Sequence, residues 1–288
     1  MLKNVTPRTF GIIVTVLGTL ALTPDVILYR LTDVDAFTVA FWRGIFAGFT
    51  ILFGCILVYK RNTLNVFKSL GKRGFLVAIL QSIGMILFYV SLDHTSAANA
   101  LIIYSTAPIL AAVLSWFFLK EKVSKKFLIA LAFVCFGVSI VATGSTFKGN
   151  ITGDLIAFLN ALSIAAFYVV VRRSKEINMI PALCLSFFIA TIISYPLALL
   201  PDLSTSQWVF LFISGVFMLP IAISLLTIGP RYLLAPEVSM INLLEVCIAP
   251  LLLWWIIGEN PGLMSIIGGL IVVLALSGYA LLKIRDNT

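Results

Sequence analysis

Residues 97–122 read AANALIIYSTAPILAAVLSWFFLKEK, and 138 positions later residues 235–260 read APEVSMINLLEVCIAPLLLWWIIGEN. Each opens with a mainly apolar run, Ala97–Leu119 and Ala235–Ile257. At about 1.5 Å per helical residue, each run is long enough to cross a hydrocarbon core roughly 30 Å thick. Laid over one another, Ala97 meets Ala235, Ala111 meets Ala249, Trp116 meets Trp254 and Glu121 meets Glu259. Matching alanines carry little weight in apolar sequence. The Trp and Glu matches, placed beside the helix ends, carry more.

Runs of the same kind fill the chain on both sides: Phe10–Tyr29, Ala36–Tyr59, Gly74–Leu92, Phe127–Thr143, Leu155–Val171, Ile180–Leu200, Trp208–Ile228 and Leu263–Leu282. With the two above, that makes ten spans. Only 11% of the 288 residues are charged and 61% are hydrophobic, whereas a soluble domain keeps roughly a quarter of its residues charged. The longest connector is Lys60–Arg73, too short for a soluble catalytic domain, so function must be built from the helices. The fold class is an all-α membrane protein of ten transmembrane helices. The echo between the halves divides it into two five-helix repeats, residues 1–143 and 144–288. Five spans reverse the chain's direction, so the second repeat would be inverted, with a central cavity shared between the two. Glu121 would then lie at the inner face and Glu259 at the outer. Secondary transporters commonly use this plan and bind solute near the midplane.

A net charge of +8 would suggest nucleic acid in a soluble protein. Here its placement is an orientation signal. With the N-terminus inside, 17 basic residues, from Lys3 and Arg8 to Lys283 and Arg285, fall in cytoplasmic segments, against Arg30 and Lys148 outside. That is the positive-inside rule, and it puts both termini in the cytoplasm of a plasma (inner) membrane protein. Cys55, Cys135, Cys184 and Cys247 lie within spans without metal-like spacing and read as small apolar packing residues. Gly44 and Gly48, in GxxxG spacing, and Gly268 with Gly269 read as close helix contacts.

The half-repeats resemble the EamA-type domains of the drug/metabolite transporter superfamily, through AANALIIYSTAPILAAVLSWFFLKEKVS and LLEVCIAPLLLWWIIGENPG. The resemblance implies a ten-helix basket moving metabolites such as amino acids or amines by alternating access, with export as the expected direction. One departure concerns proline. Pro108 corresponds to Val246, where the family often has a second proline, leaving Pro250 to supply a displaced kink.

A charge deep in a span costs roughly 2.5–3.5 kcal/mol, so each needs a partner or water. Asp25 and Arg43 lie roughly 6 and 10 Å below the outer edge, with opposite charges. They read either as a gate or binding element or as a pair pinning two helices, unless Arg43 snorkels outward. Glu245, near the midplane, could bind a cationic group or carry a proton, or it could bond a neighbouring helix. Asn242, one turn earlier, is expected on its face. Gln81 and Phe88 share a face of the third span, with Met85 between them. With Tyr104 and Asn160 they would complete a cavity of aromatic walls and a few hydrogen-bonding groups. His94, the only histidine, is expected in a solvated outer loop.

No GxxxxGK[ST] or HExxH motif occurs, and no cofactor is expected. The rival readings are an intramembrane lipid-modifying enzyme, which would want an acid–base pair at one depth, and a channel, which would want a filter or charge ring. The expected partners are a small-molecule solute, protons as a coupling ion and membrane lipids, not nucleic acid. A monomer is expected to suffice.

Overall fold

The computed structural model describes residues 6–95, 97–143, 150–200, 202–258 and 262–285. Lys3, Lys148, Glu259 and the division at 143/144 involve residues outside that set. Among the described residues the regular structure is helical: α1 (Pro7–Thr32), α2 (Ala36–Tyr59), α3 (Thr63–Ser69), α4 (Gly71–His94), α5 (Ala97–Tyr104), α6 (Ala107–Leu119), α7 (Lys125–Thr143), α8 (Ile151–Arg173), α9 (Ile180–Ser194), α10 (Thr205–Ile213), α11 (Leu219–Ile228), α12 (Ala235–Asn242), α13 (Leu244–Ile257) and α14 (Gly262–Arg285). Among the described residues ten stretches are long and apolar enough to cross a membrane, matching the number of spans read from the sequence.

Local sequence accounts for the helix ends. Thr6 caps α1, its hydroxyl accepting from the Thr9 amide at 3.2 Å, and Pro7 fills the first turn, where no amide partner is needed. Asp35 and Asn150 cap α2 and α8 in the same way. Inside α1 the hydroxyls of Thr15, Thr19 and Thr23 each donate to the carbonyl four residues back, which satisfies them without water. The Lys60–Arg73 connector is itself helical, a 3₁₀ turn at Lys60–Asn62 running into α3. His94 is exposed as expected but closes α4 instead of lying in a loop, its Nδ1 2.9 Å from the Val90 carbonyl oxygen.

Among the described residues three spans are interrupted. The fourth breaks between α5 and α6, where Pro108 cannot donate to the Tyr104 carbonyl and its ring crowds that position. The ninth breaks at Leu243 between α12 and α13. Here the proline reading needs correction: the break needs no proline in its own register and precedes Pro250 by seven residues. A shift of 138 carries α5 onto α12, residue for residue. The eighth span contains a π-helical turn, Ser214–Met218, between α10 and α11.

The packing also repeats on exchanging the halves. α4 lies along α8 as α1 lies along α11, while α2 packs on α9 and α7 on α14. One core, including Val39, Ala47, Val77, Phe167, Phe187 and Leu226, joins α2, α4, α8, α9 and α11. A smaller one joins α7, α12, α13 and α14 through Phe127, Val134, Met240 and Val272. Outside these lies an exposed belt that includes Phe53, Phe117, Phe136, Leu274 and the 81%-exposed Trp255. Water would not tolerate so broad an apolar surface, and lipid does.

Candidate functional site

A cavity opens where the interrupted helices meet the continuous ones. Its walls are Leu22 and Asp25 of α1, residues of α4 from Gln81 to Tyr89, Tyr104, Asn160 and Ile164 of α8, Phe187, Leu219 and Ile223 of α11, and Glu245. The space open to the centres of water molecules is about 80 Å³. One water needs roughly 10–15 Å³ on that measure, so several waters or a small solute fit. Six of the eight residues picked from the sequence line it: Asp25, Gln81, Phe88, Tyr104, Asn160 and Glu245.

Arg43 does not line the cavity. It is fully buried behind the wall, and its Nη1 donates to Asp25 Oδ2 at 3.0 Å and to the Tyr89 hydroxyl at 2.7 Å. The ion pair is formed, and the snorkelling alternative does not occur. The Tyr89 hydroxyl donates in turn to Asp25 Oδ2 at 3.2 Å, and Ser214 donates to Oδ1. The guanidinium carbon lies 5.2 Å from the Tyr89 ring centroid and 5.9 Å from that of Tyr29, within reach of both π faces. Helices α1, α2 and α4 and the π turn are thus tied at one buried point.

Asn242 requires a correction. The chain breaks at Leu243, so the one-turn relation to Glu245 does not hold and Asn242 faces elsewhere. It donates to the Tyr104 hydroxyl at 2.7 Å and accepts from Thr19 at 3.1 Å. Tyr104 and Asn242 are themselves 138 residues apart, so positions equivalent under the repeat touch at the centre of the molecule.

Tyr89 and Ser214 escaped the sequence reading. Tyr89 adjoins Phe88 at the depth of the pair and was within reach of that reasoning. Ser214 depends on the π turn, which re-aims its side chain. A second polar cluster also went unread. Glu237 is buried and accepts from Arg8 at 2.5 Å, from the Leu234 amide at 3.1 Å and from Tyr279. Nearby in the topology, Arg172 bridges Glu121 at 3.0 Å and reaches the carbonyls of Pro230 and Arg231. Glu121 thus has a partner on α8.

A sequence model of the EamA-like transporter family matches residues 2–143 and again residues 151–281. The chain belongs to that family. Proteins similar to it include the uncharacterized transporter YxxF of Bacillus subtilis, 26% identical over 88% of this chain and 83% of that one. The uncharacterized transporter YdfC of the same organism is 27% identical over 68% of each chain. Human solute carrier family 35 member G1 is 25% identical over 50% of this chain and 42% of its own length. A solved crystal structure superposes with a TM-score of 0.80 over 96% of this chain and 99% of the other at 17% identity, which speaks for the fold. The protein is a multi-pass membrane transporter.

Proposed function

We propose that the chain is a secondary transporter of small metabolites such as amino acids or amines, working by alternating access, with export as the expected direction. One observation carries this reading: a cavity with polar and aromatic walls, placed where two discontinuous helices break in equivalent positions. Broken helices at a shared midplane site are a recurring device of secondary carriers, because unwound backbone is tolerated in a membrane only where it is buried in protein or lines a cavity. The 138-residue correspondence of α5 with α12, and packing that survives exchange of the halves, favour two inverted repeats rocking about that site.

Proteoliposomes holding the purified protein are expected to show saturable counterflow of at least one amine or amino acid from a small panel. Ohmic current would indicate a channel, and altered lipid would indicate an enzyme. Either outcome without counterflow overturns the proposal. Loading the panel on each side in turn reads the direction, and an imposed pH gradient reads proton coupling.

The charge bias supports cytoplasmic termini in the plasma membrane. Single cysteines placed at positions 287 and 202 are expected to react with an impermeant thiol reagent in whole cells at 202 and not at 287. The reverse pattern rejects this orientation.

A further inference from the structure

Three polar side chains on the cavity wall have no hydrogen-bond or ion-pair partner among the described residues. They are Glu245, Gln81 and Asn160. Asn160 is 3% exposed, and its Oδ1 is a buried acceptor with no donor. Buried polar groups are nearly always satisfied by protein or water, so the Asn160 oxygen, with the unpartnered Gln81 and half-buried Glu245 on the same space, is placed to meet a polar occupant there.

The charge inventory narrows the occupant. Among the described residues two carboxylates line the cavity, and no Lys, Arg or His does. Asp25 is spent, both its oxygens being bonded to Arg43, Tyr89 and Ser214. Arg43 has no surface to offer a solute. Glu245 stands in the first turn of α13, where the helix dipole eases its charge, yet this leaves its oxygens without a donor side chain. No residue of α6 lines the cavity. A solute carboxylate would therefore meet Glu245 and no cation. An ammonium brings positive charge and several N–H donors to a carboxylate and two amide oxygens, with the rings of Phe88, Tyr89, Tyr104 and Phe187 for its apolar body and for cation–π contact.

We infer that the cavity selects an organic cation, an amine with a compact apolar or aromatic body and no carboxylate, held by Glu245 with the amides of Gln81 and Asn160. The inference rests on the carrier reading above and narrows it, setting zwitterionic amino acids aside.

Equilibrium binding of radiolabelled phenethylamine to the purified full chain, with unlabelled competitors, tests it. Phenethylamine is expected to bind saturably. Phenylalanine, which adds only a carboxylate, and phenylethanol, which lacks the charge, are expected to compete about 30-fold more weakly, the scale of one lost charge-assisted bond. Glu245→Gln is expected to weaken phenethylamine binding to a similar degree, and Glu245→Asp to keep most of it. The wild-type selectivity decides the matter even where the Gln variant fails to fold. Phenylalanine competing as well as phenethylamine, no saturable amine binding, or unchanged binding in folded Glu245→Gln would each overturn the assignment. Amine binding without counterflow in proteoliposomes would sink the carrier reading and leave this site standing. Counterflow of phenylalanine without amine binding would do the opposite.

Discussion

Asp25→Asn is expected to damage the protein more than the double change Asp25→Asn with Arg43→Gln. The single change leaves a fully buried guanidinium facing a neutral amide, and breaking a buried ion pair from one side typically costs about 3–5 kcal/mol. The double change removes both charges and leaves side chains able to hydrogen-bond with Tyr89 and Ser214. Thermal unfolding in detergent, followed on all four members of the cycle, reads the coupling directly. Additive losses would mean that the pair contributes no coupling, contrary to the 3.0 Å contact. The same cycle separates the two roles left open for the pair. If it only pins α1 to α2, the double variant should regain counterflow along with stability. If Asp25 also works in the cavity it lines, stability returns and counterflow does not.

How far the sequence could be read depended on whether a feature is local. Span number follows from counting along a regular helix, and counting also put Asp25 and Arg43 at similar positions in adjacent spans, where the structure places them within 3.0 Å of each other. Counting fails where the helix stops being regular. Asn242 and Glu245 looked like neighbours because a continuous ninth helix was assumed, and the break at Leu243 puts them on different segments. Proline signals the equivalent break in the fourth span. Nothing of that kind marks Leu243, whose surroundings are set by packing against α7 and α14. The Glu237 cluster was invisible for a related reason: it unites residues 8, 237 and 279, a proximity created only when the first, ninth and tenth spans assemble.

Gly268 offers the second large effect, one that tests how the halves join. The helices α7 and α14 close their respective halves and run against each other. Where they meet, a Cβ on Gly268 would collide with the Gly137 carbonyl oxygen and stand 2.8 Å from the Val141 amide nitrogen. Both are backbone atoms and cannot swing aside as a side-chain tip could. Small residues permit such contact in a membrane, where packing replaces the absent hydrophobic drive between helices. Gly268→Ala is therefore expected to lower stability by about 1–3 kcal/mol, the usual cost of overpacking, although alanine is the better helix former. Gly268→Leu should force the helices apart and leave little monodisperse protein in detergent. Gly278, on the same helix, has open space around its would-be Cβ, so Gly278→Ala should be neutral or mildly stabilising. Melting curves of the Ala pair decide it: equal midpoints would mean that α7 and α14 do not meet closely at Gly268, whereas a drop confined to Gly268→Ala ties the stability of the fold to contact between its two halves.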